Sequence, residues 1–232
     1  MILAAGRGER MRPLTDHLPK PLVEVRGRPL IAHHIEKLAA MGVRRIVINV
    51  SYLADALVTA VKSMDNFGCD IVFSVENIAL ESGGGIATAS PHFLGAATVV
   101  VSADIYSEFD YQKLLPAIHS IENGHCDAHF VMVPPTPGQP GGEFALDTAE
   151  RGWMLPLLHN GVPRLTLANI GVLGTKFCQA LPRGQRFRLL PHYQDLVDRE
   201  RATGQLCDAP WWNVTTPDDV KALNLLAVVT KE

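Results

Sequence analysis

The chain has 232 residues, of which 47% are hydrophobic and 19% charged, with a formal net charge of −3 at pH 7. That length is enough for one sizeable α/β domain whose core needs no disulfide or metal staple. The slightly negative balance argues against nucleic acid or an anionic membrane surface as the main partner, and no apolar run approaches the ~20 residues of a membrane span.

Residues 1–5 are an apolar run too short for a helix and suited to a strand, with no signal-like basic region before it. The run leads straight into Gly6, Arg7, Gly8, Glu9 and Arg10. Glycines let the chain turn sharply and let a ligand approach the main chain. Successive N–H groups in such a turn form a cavity that suits phosphate. Arg10 adds a forked cation, and Lys20, held between Pro19 and Pro21, adds a point charge on a stiffened segment. The stretch therefore reads as a polyphosphate site. It is not the dinucleotide fingerprint, because GRGERM lacks the third glycine, and it is not a Walker loop, because no G-K-[ST] follows.

Beyond the loop, strand and helix patterns alternate, as crossover units on a mostly parallel sheet do. Pro29 suits a first helical turn, and Leu30, Ile31, His34, Ile35, Leu38 and Met41 recur at helical spacing up to a stop at Gly42. Residues 45–50 (RIVINV) are a β-branched run suited to a buried strand. Ser51 is placed to cap a helix reaching about Lys62, and residues 70–75 return as a strand. Gly83, Gly84 and Gly85 are expected to open the next helix, and the strand 98–102 runs out at Ala103 and Asp104. A helix over 110–122 and a strand over 128–133 follow.

The prolines and glycines of 134–142 then break the rhythm, and 143–158 read as short antiparallel strands. Residues 165–173 form a strand carrying Asn169. A helix is expected from about 189 to 203, then the segment 206–214, then a last helix after Thr216-Pro217. Cys69, Cys126, Cys178 and Cys207 lie far apart with no C-x-x-C, as expected for reduced thiols in a cytoplasmic protein. The histidines have no paired spacing, and Trp211 and Trp212 read as core or cleft wall.

In open parallel sheets, ligands sit outside the carboxyl ends of the strands. By that rule the glycine loop, Glu76 to Gly85, Asp104, Asn169 and Asn213 converge on one cleft. A carboxylate at Asp104 suits Mg²⁺, which takes one or two carboxylates and completes its shell with phosphate oxygens and water. Glu76 and Glu81 admit two readings: a contact to base or ribose, or a first-turn carboxylate favoured by the helix dipole.

The string L-A-A-G-x-G-x-R-M-x-P-L-T followed by P-K-P-L-V resembles the signature of the sugar-1-phosphate nucleotidyltransferases. Within that family the chain looks most like the small bacterial enzymes that make UDP-N-acetylmuramate from UTP and N-acetylmuramate 1-phosphate. The resemblance implies an α/β fold of three layers, Rossmann-like, with a mostly parallel sheet. It implies a single domain over 1–232 with a small antiparallel insertion at about 134–161. No hexapeptide repeat occurs, so no left-handed β-helix domain is expected. The implied reaction is in-line attack of a sugar phosphate on the α-phosphorus of UTP, Mg²⁺-dependent, with pyrophosphate leaving, in cell-wall sugar recycling. Two anions must meet, so such a site needs cations and positioning more than a nucleophilic side chain.

Residue by residue, the resemblance assigns catalysis to Arg10, Lys20 and Asp104. Arg10 and the backbone of Gly8 and Glu9 would hold the leaving phosphates, and Lys20 the α-phosphoryl group. Ala4, Ala5, Gly6, Glu76, Glu81, Gly84 and Gly85 would complete the nucleotide site, with the last two glycines leaving room for the base. Asp104 and Asn213 stand at the metal positions, and Ser102, Glu143, Asn169 and Arg188 on the sugar side. For Asn169 the other reading is a structural hydrogen bond in a buried strand.

The chain departs from the family in three places. Asn213 stands where Asp is usual, Thr215 replaces a glycine, and Ser102-Ala103-Asp104 replaces an Asn-Gly-Asp run. One carboxylate remains where two are expected. These departures keep open a nucleotide-binding relative with little turnover, beside transferases for hexose, mannose or phosphocholine acceptors.

Overall fold

The structure, a computed structural model, describes residues 1–135, 142, 144–147, 154–155 and 163–229. The first half of the chain carries β1 (Ile2–Leu3), the ribbon β2 (Glu24–Val25) and β3 (Arg28–Pro29), α1 (Leu30–Ala40), β4 (Arg45–Val50), α2 (Ala54–Ser63), β5 (Asp70–Val75), α3 (Glu81–Ala89), β6 (Ala97–Ser102) and β7 (Ile105–Ser107). There follow α4 (Leu115–Glu122), β8 (Ala128–Val133), β9 (Ala145–Leu146), β10 (Met154–Leu155), β11 (Thr166–Gly174), α5 (Thr175–Ala180), α6 (Leu190–Asp198), β12 (Ala202–Leu206), β13 (Trp211–Asn213) and α7 (Pro217–Val229).

Seven strands make one sheet in the order β12-β8-β11-β6-β1-β4-β5. Short β1 runs parallel to both neighbours, with Ile2 opposite Ile48 of β4 and Val101 of β6. β5 and β12 extend the sheet in parallel at its two edges. Within this sheet only β11 is reversed, antiparallel to β6 and β8, and its register breaks between Leu167 and Gly171.

Side chains alternate across each strand. Ile46, Ile48 and Val50 of β4, with Val99 and Val101 of β6, meet α1, α2 and α4 on one face through Ile35, Leu38, Leu57 and Ile121. Val47 and Val100 face the other way, onto Ile86 of α3, Cys178 of α5 and Leu196 of α6. Both faces are covered, which is why these strands read as mostly apolar, β-branched runs rather than alternating ones. The result is the expected three-layer α/β arrangement around a mostly parallel sheet. A third cluster of Met11, Val23, Val25, Leu30, Tyr106, Val214 and Leu223 fastens the loop after β1 to α7.

Several expectations are corrected. Ser51 does not cap α2, which starts after Leu53 in a left-handed conformation (φ 49°) without a side-chain cap. α3 begins at Glu81, so the glycine triplet lies inside the helix. The helix expected over 110–122 is a 3₁₀ turn at Tyr111–Leu114, capped by Asp110, followed by α4. The helix expected to reach residue 203 ends at Asp198, and β12 takes Ala202–Leu206. Long-range pairing explains that change: Thr203 and Gln205 of β12 bond both ring nitrogens of His129 on β8. β9 and β10 pair antiparallel, as the insertion was expected to do. Glu143, assigned to the sugar side, lies outside the described residues. All four cysteines are free thiols. Among the described residues no helix is long and apolar enough to cross a membrane.

Candidate active site

The chain leaves β1 through Ala4 and Ala5 into the glycine loop. The Ala4 N–H donates to Oδ1 of Asn49, near the end of β4, at 2.9 Å. The Asn49 amide donates in turn to Oε1 of Glu76 at 2.7 Å, and the other Glu76 oxygen accepts the Leu80 N–H at 2.8 Å. Asn49 and Glu76 are both buried. A buried carboxylate must have its oxygens satisfied, and here the protein satisfies both. Glu76 thus ties β4 and the start of α3 together, and it is not among the residues lining the larger cavity.

The glycine triplet is also explained by packing. A Cβ on Gly85 would come within 2.8 Å of the Asn49 amide and 2.9 Å of Glu76. On Gly84 it would stand 2.0 Å from the Gln185 carbonyl oxygen. The strap at 185–187 docks on this helix, with the Gly83 N–H donating to the Phe187 carbonyl at 3.0 Å. Neither Gly84 nor Gly85 is among the residues lining the cleft; the bare backbone of Gly84 makes room for the strap, and that of Gly85 for the Asn49–Glu76 pair. From this helix the cleft is lined by Glu81 and Ser82. Glu81 has a left-handed backbone (φ 61°), uncommon for a residue with a side chain. Its carboxylate pairs with Arg186 of the strap at 3.0 Å.

The glycine loop folds back on Lys20. Gly8 has φ +68°, and a side chain there would press on Cβ and Cδ of Lys20 at 3.0 and 3.1 Å. Thr15 Oγ1 donates to the Gly8 carbonyl at 2.8 Å, and the Tyr52 hydroxyl donates to the Thr15 and Asp16 carbonyls. Lys20 itself is only 8% exposed. Its Nζ lies 2.7 Å from Oδ2 of Asp104, just past β6, so the fold supplies that carboxylate with a cation the sequence places far away.

β13 brings in the last member. It pairs antiparallel with β7, placing Asn213 opposite Ile105, and the Val214 N–H donates to the Asp104 carbonyl at 2.9 Å. Oδ1 of Asn213 is buried and has no hydrogen-bond partner.

Two cavities meet at this point. The larger, about 580 Å³, is lined by Ala4, Ala5, Gly6, Arg7, Gly8, Glu9, Lys20, Glu81, Asp104 and Arg186, among others. The smaller, about 280 Å³, has Phe130, Leu189, Tyr193 and Trp211 on its apolar side and Thr166, Asn169 and Asn213 on its polar side. Leu3, Ser82 and Ser102 line both. Asn169 sits in the β11 bulge with φ 55° and is exposed, without a hydrogen bond among the described residues, so the structural reading of its amide does not hold. Arg10 lies exposed on the Glu9–Met11 turn, outside both linings, and Arg188 is exposed and outside both as well. Sequence reasoning missed Asn49 and Arg186. The signal for Asn49 was one amide among the apolar residues 46–50 of β4.

A family profile described as Nucleotidyl transferase matches residues 1–142. The chain belongs to the nucleotidyl transferase family. A relative named N-acetylmuramate alpha-1-phosphate uridylyltransferase, from Neisseria meningitidis serogroup B, is 35% identical to this nucleotidyltransferase over 230 residues, 98% of this chain and 97% of that one. A mannose-1-phosphate guanyltransferase from Kluyveromyces lactis is 40% identical over 123 residues, covering 49% of this nucleotidyltransferase and 32% of the relative. HddC from Yersinia pseudotuberculosis superposes with a TM-score of 0.74 at 22% identity, covering 97% of each chain. The inositol-1-phosphate CTP transferase from T. maritima superposes with a TM-score of 0.75 at 15% identity, covering 100% of this chain and 95% of that one. These structural matches carry the fold of the nucleotidyltransferase, and the profile carries its reaction class.

Proposed function

We propose that this nucleotidyltransferase moves a uridylyl group from UTP to N-acetylmuramate 1-phosphate, yielding UDP-N-acetylmuramate and pyrophosphate, in cytoplasmic cell-wall sugar recycling. The observation that carries the choice of substrate is the end-to-end match to the Neisseria relative of that name, against a match over about half the chain for the mannose relative. In this reading UTP occupies the larger cavity, with its phosphates against the N–H groups of Gly6 to Glu9. Lys20 stands beneath that loop as a buried cation for charge developing at the α-phosphoryl group, where low dielectric makes it most effective. Arg10 meets the leaving phosphates from the rim. The sugar phosphate enters the smaller cavity, whose apolar wall and few amides suit a substituted amino sugar. Ser102, common to both cavities, marks where the two phosphates meet.

Asp104 and Asn213 are the residues that would hold Mg²⁺. Their oxygens suit a hard cation, and an orphaned Asn213 Oδ1 beside Asp104 is the kind of atom a cation satisfies. Bound there, Mg²⁺ supplies neutralisation of phosphate charge and orientation of the phosphates.

The test is pyrophosphate release, with UTP, GTP, dTTP and CTP each paired with N-acetylmuramate 1-phosphate, mannose 1-phosphate and glucose 1-phosphate. The proposal expects the first pair to exceed every other by at least tenfold in kcat/KM. A higher value for GTP with mannose 1-phosphate would replace it. Nucleotide binding without turnover on any acceptor would identify a low-activity binding relative.

A further inference from the structure

Among the described residues, three cationic side chains line the larger cavity: Arg7, Lys20 and Arg186. Two of them have carboxylate partners, Lys20 in Asp104 at 2.7 Å and Arg186 in Glu81 at 3.0 Å. Arg7 has none among the described residues, and Glu9 on the same wall forms no ion pair with it. Its guanidinium stands instead over Tyr52, with Cζ 5.2 Å from the ring centroid. A ring at that distance attracts a cation without offering it a negative charge. The exposed guanidinium therefore keeps its full charge and its forked donors for a ligand, a geometry that suits phosphate oxygens. Tyr52 is itself fixed: its hydroxyl donates to the Thr15 and Asp16 carbonyls, and Thr15 holds the Gly8 carbonyl at 2.8 Å. The loop that carries Arg7 and the ring that receives its side chain thus belong to one hydrogen-bonded unit. Arg10, the other arginine of this loop, lies outside both cavity linings.

We propose that Arg7 binds the β- and γ-phosphates of the nucleoside triphosphate, the pair that departs as pyrophosphate, and that Tyr52 is a positioning residue holding it on the cavity wall beforehand. The inference rests on the nucleotidyl-transfer reading above. Arg7 lines the larger cavity only, whereas the border with the smaller one is made by Leu3, Ser82 and Ser102. A triphosphate whose α-phosphorus faces the acceptor at that border extends its other two phosphates away from it, along the glycine loop. As the acceptor's phosphate oxygen bonds to the α-phosphorus, the bridge to the β-phosphate breaks and its electron pair leaves with pyrophosphate. A cation already in place there meets charge that grows during the step, without reorganising at that moment. Holding the side chain on Tyr52 before the ligand arrives lowers the ordering cost of binding.

The experiment is calorimetry of UTP, UMP and inorganic pyrophosphate against the unaltered chain, Arg7→Met, Tyr52→Phe, Tyr52→Leu and the Arg7→Met/Tyr52→Leu double variant. Arg7 is exposed, so its replacement leaves the core untouched. Arg7→Met should weaken UTP and pyrophosphate by roughly tenfold or more, the loss of a charge-assisted phosphate contact, while UMP changes by less than about twofold. Tyr52→Phe keeps the ring and should stay within about twofold of the unaltered chain, whereas Tyr52→Leu should weaken UTP roughly three- to fivefold. In the Arg7→Met background Tyr52→Leu should add nothing, because the cation it positions is gone. Arg7→Met binding UTP like the unaltered chain would overturn the proposal, and so would an equal loss for UMP and UTP. A Tyr52→Leu loss that persists without Arg7 would overturn the positioning role and assign the effect to the bonds at Thr15 and Asp16. Failure of the unaltered chain to bind UTP would end the uridylyl reading, and the pyrophosphate arm then decides Arg7 alone.

Discussion

Asn49 occupies a position where one side chain serves two loops. Its amide oxygen holds the Ala4 N–H and its amide nitrogen holds Glu76. Truncating it leaves a buried N–H and a buried carboxylate short of partners, and unmade buried bonds cost more than made ones return. We expect Asn49→Ala to destabilise the protein by about 3 kcal/mol in urea titration. The same variant should weaken UTP binding, since the glycine loop and the start of α3 lose their common anchor. A loss below about 1 kcal/mol would mean that water replaces the amide, at odds with its burial. The sequence showed which residue types were needed here and not what each would touch. The convergence of Gly8, Lys20 and Asp104 on one cleft was legible from the glycine turn, the strand ends and the family resemblance, and all three line the larger cavity. The occupation of Glu76, the Lys20–Asp104 pair and the Glu81–Arg186 pair were not legible, since each joins segments that only the fold brings together.

Among the elements, α7 illustrates how a short local signal secures a remote site. Asp219 accepts hydrogen bonds from the backbone N–H groups of Thr215 and Thr216, and its own N–H donates to Thr216 Oγ1 at 3.3 Å. This is a reciprocal capping arrangement. Thr215, at the position where the family resemblance leads one to expect glycine, adds a hydroxyl bond to the same carboxylate at 3.1 Å. Burial works to raise the Asp219 carboxyl, and these hydrogen bonds outweigh it, holding it below the usual carboxylate range. Removing the cap with Asp219→Ala should cost about 1 kcal/mol, measured as a shift in the urea midpoint at pH 7. The loss should vanish at pH values low enough to protonate the carboxyl in the native state. Because Leu223 of α7 packs with Met11 and Val23, the variant should also loosen the glycine loop. The start of this helix was visible in Thr216-Pro217, β4 and β8 were read to the residue because both of their faces are covered, and the half-buried edge strand β5 was read from its apolar run Ile71, Val72 and Phe73. β12 was misread because its polar residues find their partners on β8 and on Cys126 just before it. The strand has no signal of its own.

For the whole molecule, acid sensitivity follows from buried imidazoles. His33, His34 and His129 are all held below their ordinary range, in each case first by burial, and His34 is pushed down to about 3. His34 is enclosed and hydrogen-bonded through Nδ1 to the Tyr111 hydroxyl at 2.8 Å. As pH falls through the ordinary value of 6.5, the unfolded chain gains protons that the native state refuses. Stability is therefore complete above that value and declines below it, by up to about 1.4 kcal/mol per pH unit for each of the buried His34 and His129, and by less for the half-buried His33. Urea titrations from pH 8 to 5 should show a plateau and then a fall, less steep in His34→Gln. A flat profile across that range would mean that these rings are charged in the native state.

The border between the two cavities also divides the gene. Apart from Arg186, the larger cavity is built wholly from residues before 105, inside the stretch that the family profile covers. The smaller draws most of its wall from residues 130–213. If UTP and the sugar phosphate occupy these cavities as proposed, nucleotide and acceptor preference are written in successive blocks of sequence that share little more than Leu3, Ser82 and Ser102. Such a layout lets one block drift, or be exchanged by recombination, while the other continues to work. Under that assignment, substitutions confined to residues 130–213 should change the acceptor while leaving triphosphate binding in place.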